Sequence, residues 1–234
     1  MVAFSLIKNT KELVSLKCDP GDIPTAHAIR CFNAVLLILS HKSFAMWFNP
    51  YSNRTEMSVG VSKSWSVLTR TASMYTDPFL MLSGMLTAYS FVGRLQKGQK
   101  IKIMKEYVGR YLRIMPSLAA LILFCTFVLP LLGSGPQWNL VVNNNSEMCK
   151  KYWWRNLLFI HNWFGLRSMC LSHTHHVGID FELFLISPVL ITLLWKSPKK
   201  GALLIFGLGI LSTIVRFYVT YTNGLSNYVF YSVR

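Results

Sequence analysis

Long apolar stretches separated by short polar ones run through the chain. A hydrocarbon core takes about 20 helical residues to cross. Residues 28–48, 73–92, 116–133 and 201–223 have that length and character, and 177–195 does too, with Asp180 and Glu182 near its start. The pattern predicts an all-α fold: a polytopic bundle of about five transmembrane helices, preceded by a cytosolic lead-in over 1–27. Pro116 suits the first turn of its span, where a missing amide hydrogen leaves no carbonyl unserved.

Composition agrees. Of 234 residues, 52% are hydrophobic and only 14% are charged, whereas a soluble domain carries about a quarter charged residues. The mean hydropathy is +0.37. This excludes an ordinary soluble domain and points to an integral, multi-pass membrane protein of the plasma membrane or endoplasmic reticulum. The net charge of +15 calls for no nucleic-acid partner, because Lys and Arg collect on the cytosolic loops of membrane proteins. Residues 1–18 lack an apolar core of signal-peptide length, so the first span is expected to direct insertion.

Charge sets the orientation. The run RLQKGQKIKIMKEYVGRYLR (94–113) sets seven basic residues against Glu106 alone and should face the cytosol. The flanking loops then lie outside, and each holds a glycosylation sequon, at Asn53 and at Asn144. The aromatic segment 152–165 is ambiguous. If it spans, the basic KSPKK (196–200) falls outside, against the charge rule. If Cys149 and Cys170, which flank it, pair in an oxidising outer compartment, it lies on the surface as an interfacial segment. The alternative is a short span between two unpaired thiols. Cys18, Cys31 and Cys125 read as ordinary thiols. The surface reading gives five spans with the N-terminus inside and the C-terminus outside, an odd count expected of part of a larger bundle.

Several polar groups sit where hydrocarbon penalises them. Arg30 and His41 are eleven residues apart, which on a helix leaves them on one face, roughly 16 Å apart along the axis. Asp77 and Asp180 fall at depths similar to His41, in the outer third of the membrane. A carboxylate beside the imidazole would fix its tautomer and raise its basicity, as a general base requires; a His–Asp pair can also simply lock helix packing. On the cytosolic side, Arg110 and Arg113 have the planar guanidinium groups that suit phosphate, or else serve as plain positive-inside anchors. His173, His175 and His176, with His161 upstream, have too few supporting groups for a metal site, so none is expected. The His175-x4-Asp180 spacing puts the two about 140° apart on a helix, which is poor geometry for a dyad.

Together, R-x10-H (Arg30, His41), DPFLMLSG (77–84), RYLRIMP (110–116) and CLSHTHHVGIDFELFLISP (170–188) resemble the integral-membrane acyltransferase superfamily. That group includes bacterial polysaccharide O-acetylases, and the chain looks most like its nose-resistant-to-fluoxetine branch. FSLIKNTKEL (4–13) and the Cys149–Cys170 interval with WWRNLLFI (153–160) are similar to that branch too. The resemblance implies transfer of an acyl group from cytosolic acyl-CoA, used as a co-substrate with no permanently bound cofactor, to a hydroxyl acceptor on a lipid, sterol or glycan. It implies that His41 is catalytic and that Arg30, Arg110 and Arg113 serve the acyl donor. It also implies about ten spans, of which 28–234 would be the N-terminal half. Two departures touch the outer mouth: the branch has T-W-Y-L where this chain has Thr174-His175-His176-Val177, and a Gln where it has Glu182. A non-catalytic lipid or small-molecule transporter on the same scaffold, or an inactive truncated fragment, are the alternatives.

Overall fold

The computed structural model describes residues 5–15, 23–47, 52–70, 74–165 and 168–225. Cys18, Phe48 and Ser73 of the sequence reading lie outside them. The described residues are all-helical, with no strand. In chain order the helices are α1 (Leu6–Val14), α2 (Pro24–Trp47), α3 (Arg54–Ser62), α4 (Val67–Arg70), α5 (Asp77–Gln96), α6 (Ile103–Leu123), α7 (Asn144–Leu157), α8 (His175–Lys196) and α9 (Pro198–Thr222). Among the described residues, three stretches are apolar enough by length and composition to cross a membrane: Ile103–Leu131, Ser172–Lys196 and Pro198–Thr222. The first two expected spans are helices as well, α2 and α5, with α2 carrying Arg30, His41 and Lys42 along its length. The chain divides into two compact units, Met1–Phe79 and Leu80–Arg234.

In the first unit, α2 packs against α4. The Ser40 hydroxyl, fully buried, donates to the Leu68 carbonyl at 3.1 Å, and the Tyr75 hydroxyl donates to the same oxygen at 2.9 Å. Asn53 caps α3 in a reciprocal pattern: its side-chain oxygen accepts from Glu56 N at 3.1 Å, and its amide donates to the Glu56 carboxylate at 2.9 Å.

In the second unit, α6 is longer than expected. Gly109 does not stop the helix between Ile103 and Pro116, so most of the basic run 94–113 is helical, at 94–96 in α5 and 103–113 in α6, and Pro116 sits in the helix interior rather than in its first turn. Membrane helices tolerate such a proline because neighbouring groups re-satisfy the freed carbonyl. Arg94 grips Glu106 through both terminal guanidinium nitrogens, at 2.6 and 3.2 Å, closing the turn from α5 to α6. Beyond Leu123 the helix widens into a π-turn, Phe124–Val128, and then tightens into Leu129–Leu131. Pro130 has no N–H to offer the Thr126 carbonyl four residues back; the Ser146 hydroxyl of α7 supplies the donor instead, at 2.7 Å.

Leu118, Ile122 and Cys125 repeat at helical spacing on one face of α6 and pack with Cys149, Phe159, Cys170, Leu171 and Phe181 into the core of this unit. Cys149 and Cys170 form a disulfide across 21 residues. The aromatic segment they flank does not continue as one helix. α7 has 14 residues, about 21 Å of length, and the chain then turns into a short 3-10 helix, His161–Phe164. Phe159 and Leu171 take left-handed backbone conformations at φ 57° and 55°, which bulky residues adopt only under constraint. Both are buried, Phe159 stacked on Phe181 at 4.5 Å and Leu171 next to the disulfide. α8 and α9 meet at Ser197. Gly201 of α9 presses against α8, where a Cβ would lie 2.7 Å from the Leu194 backbone, and from residue 202 onward α9 is exposed.

The disulfide closes a loop whose unfolded-state entropy is worth about 3 kcal/mol. Cys149→Ser is therefore expected to lower the thermal midpoint by several degrees in detergent. In the native protein, maleimide should label exposed Cys31 without reductant, and Cys149 and Cys170 only with it.

Candidate functional site

The expected residues divide between the two units, and within the second the helices bring Arg110 and Asp180 together. On the unbroken α2, His41 is exposed, and its Nδ1 lies 2.8 Å from the Leu37 carbonyl oxygen. A carbonyl only accepts, so Nδ1 carries the hydrogen and, in the neutral ring, Nε2 carries the lone pair. The tautomer a general base needs is thus set by the backbone one turn away, where a carboxylate was expected. Arg30 is half-buried on the same helix. Asp77 opens α5 with its carboxylate exposed, and neither it nor Arg30 makes an ion pair among the described residues.

Asp180 has a different partner. In the second unit Arg110 of α6 pairs with Asp180 of α8 through Nη2, and the same nitrogen donates to the Ser83 hydroxyl of α5 at 2.7 Å. The Phe184 ring, one turn from Asp180 on α8, lies under the guanidinium at 4.3 Å. Tyr107 donates to the Leu185 carbonyl and meets Phe184 edge-on, and the Tyr111 ring meets Phe181 and Phe159 edge-on. α6 and α8 therefore run antiparallel, with Tyr107 beside Leu185 and Tyr111 beside Phe181. This corrects the depths read from sequence, which set Arg110 at the cytosolic face and Asp180 in the outer third. An ion pair holds them at one level, because α6 starts at Ile103 and carries Arg110 into the packed layer. Arg113, three residues on, is exposed. Ser83, Phe184 and Tyr107 were missed as site residues. Ser83 enters the sequence reading only inside the DPFLMLSG motif, although Asp180 and Phe184 at i, i+4 already mark one face of α8.

A second polar cluster lies under the disulfide. Asn156 is fully buried and donates to the Cys170 carbonyl at 2.7 Å and to the Thr174 hydroxyl at 3.0 Å. His161, also fully buried, faces the Thr174 carbonyl through Nε2 at 3.3 Å. Asn162 donates to the His175 carbonyl at 3.1 Å, and Trp163 Nε1 to the Glu182 carboxylate at 2.8 Å. Gly178 lets α8 press onto this turn, since a Cβ there would lie 2.6 Å from the Asn162 amide. Burial lowers the His161 pKa from its ordinary 6.5, outweighing the upward pull of the Thr174 and Arg155 carbonyls. Among the described residues no three His, Cys, Asp or Glu side chains are grouped to hold a metal ion. Asn53 and Asn144, the sequon asparagines, are both exposed.

Apolar helices long enough to span, packed around a charged layer, define a polytopic membrane protein. Residues 26–233 match the model of the acyltransferase domain family, and the chain belongs to that family. It is 27% identical over 241 residues to Nose resistant to fluoxetine protein 6 of Caenorhabditis elegans, covering 96% of this chain and 29% of that protein. Regulator of hypoxia-inducible factor 1 of the same organism is 26% identical over 151 residues, covering 62% of this chain and 28% of that relative. The chain thus spans under a third of the length of these curated relatives. No solved structure matches it.

Two outcomes follow from this geometry. Asp180→Asn leaves a charged guanidinium uncompensated and should destabilise the protein by about 3–5 kcal/mol, whereas the apolar double replacement Arg110→Met/Asp180→Leu should cost far less; thermal unfolding of both variants in one detergent decides. For His161, the folded pKa lies below the unfolded one, so the unfolded chain binds more protons between the two values. The stability it contributes is whole above pH 6.5 and is lost as pH falls toward the folded pKa. The midpoint of the wild type should therefore drop more between pH 7.5 and 5.5 than that of His161→Gln; parallel slopes would remove His161 from the account.

Proposed function

We propose that the chain is part of a membrane-embedded acyltransferase that moves an acyl group from acyl-CoA to a hydroxyl acceptor on a lipid, sterol or glycan. Family membership gives the reaction class. The observation that carries the mechanism is the His41 Nδ1 bond to Leu37, which leaves Nε2 as a base. In the reaction, Nε2 takes the acceptor hydroxyl's proton while the hydroxyl oxygen bonds to the thioester carbon. The C–S bond breaks, and the CoA thiolate leaves with that proton. Asp77 is the acid available to steady the imidazolium, Asp180 being committed to Arg110. Arg30 and Arg113, unpaired among the described residues, supply full positive charge for the CoA phosphates.

In this reading α2, α5, Ile103–Leu131, α8 and α9 are five spans of a domain of about ten, with 1–27 cytosolic and 28–234 its first half. Segment 152–165 lies at the outer surface, and Asn53 and Asn144 carry glycans. The host membrane is the plasma membrane or the endoplasmic reticulum. The partners are the bilayer, acyl-CoA and the hydroxyl acceptor, with no resident cofactor and no nucleic acid.

A positioned general base is worth about 10²–10⁴ in rate. With full-length protein in lipid nanodiscs, His41→Ala should lower thiol release from acyl-CoA by that factor. Wild-type turnover in the variant would remove His41 from the mechanism.

A further inference from the structure

Arg110 is held from two helices and left with donors to spare. Nη2 spends its two hydrogens on Ser83 and Asp180, and Phe184 covers one face of the guanidinium. The Nε–H is shielded from solvent and has no hydrogen-bond partner. A buried, unserved N–H on a charged group costs more than a neutral one, and such a group calls for an acceptor.

Charge decides which acceptor fits. Asp180 cancels the guanidinium's charge, and the surroundings are aromatic and apolar: Tyr107, Tyr111, Phe181 and Phe184. A phosphate would bring its negative charges up to the Asp180 carboxylate on the same guanidinium, with little net attraction to offset its desolvation. An uncharged carbonyl oxygen suffers no such repulsion. It gains further when electrons move onto it, because a preorganised donor in a dry site is strongest where charge develops.

Resting on the acyltransferase reading, we propose that Arg110 Nε holds the thioester carbonyl oxygen of the acyl donor rather than a CoA phosphate, and that Ser83, Asp180 and Phe184 are the positioning residues that aim it. When the acceptor oxygen bonds to the acyl carbon, the carbonyl π-electrons move onto the oxygen facing Nε. They return as the C–S bond breaks.

Free CoA carries the phosphates without the carbonyl, so it separates the two roles. In the full-length protein in nanodiscs, Ser83→Ala and Arg110→Lys are assayed for kcat and for inhibition by free CoA, with Ser83→Thr as the rescue. The expected result is a fall in kcat of about tenfold for Ser83→Ala and about a hundredfold for Arg110→Lys, the scale of losing an oxyanion donor. The Ki for CoA should stay within about twofold, and Ser83→Thr should recover most of the rate, because these are losses specific to the reacting carbonyl. A CoA Ki that rises in step with lost rate, or rises while kcat holds, makes Arg110 a phosphate ligand and overturns the proposal. Unchanged kcat and Ki overturn it equally. A wild type that consumes no acyl-CoA overturns the acyltransferase reading and this proposal with it, whereas active wild type with a failed variant pattern overturns the proposal alone.

Discussion

The neutralisation of Arg110 by Asp180 is the constraint on which the second unit turns. Either charge alone inside a helical bundle costs about 2.5–3.5 kcal/mol on insertion scales. Together, with Ser83 as a third partner, they form a neutral polar layer that fixes the antiparallel register of α6 and α8 and ties α5 to both. The aromatic residues around the pair do more than fill space. Tyr107 and Tyr111 lie one turn apart on α6 and meet Phe184 and Phe181 on α8 in the same order. A shift of either helix by one turn would part the ion pair and the rings together. A polar layer of this kind specifies one alignment where apolar contacts would accept several.

Above that layer the chain is held by other means. α7 ends at Leu157, inside the aromatic segment, and the turns after it bury Asn156 and His161 with left-handed backbone at Phe159 and Leu171. Such a segment has little helical hydrogen bonding of its own. The Cys149–Cys170 disulfide, the Asn156 bonds and the Ser146 bond to the Thr126 carbonyl replace it. The π-turn in the extension of α6 belongs to the same device, because it presents that carbonyl to α7.

What the residues revealed in advance follows from the range of the forces involved. Helix content and three of the five apolar stretches are local properties, and they were legible; so were the family and the pairing of Cys149 with Cys170, which needed only a shared compartment. The start of α6 was misplaced because Pro116 was taken as a boundary, when a membrane helix absorbs a proline that a soluble one avoids. That misplacement propagated. With Arg110 read at the cytosolic end and Asp180 in the outer third, the link between them is invisible, and Asp180 stands beside Asp77 as a candidate for His41. Ser83 was unreadable for another reason: a hydroxyl in an apolar helix gains meaning only from the guanidinium on a different helix.

The two departures from the nose-resistant-to-fluoxetine pattern can be placed by their contacts. Glu182 accepts from Trp163, and the His175 carbonyl accepts from Asn162. Both contacts join the first turns of α8 to the short 3-10 helix beneath the disulfide, on the side where Gly178 allows close approach. Asp180 and Phe184 lie between and below them and point to Arg110 instead. Positions 175, 178 and 182 recur at i, i+3 and i+7, while 180 and 184 fall on another face of the same helix. α8 therefore separates two duties by angle. One face meets the turn beneath the disulfide and gives Glu182 a tryptophan donor. The other faces the charged layer, where a change of even one hydrogen-bonding group would leave the guanidinium of Arg110 misaligned.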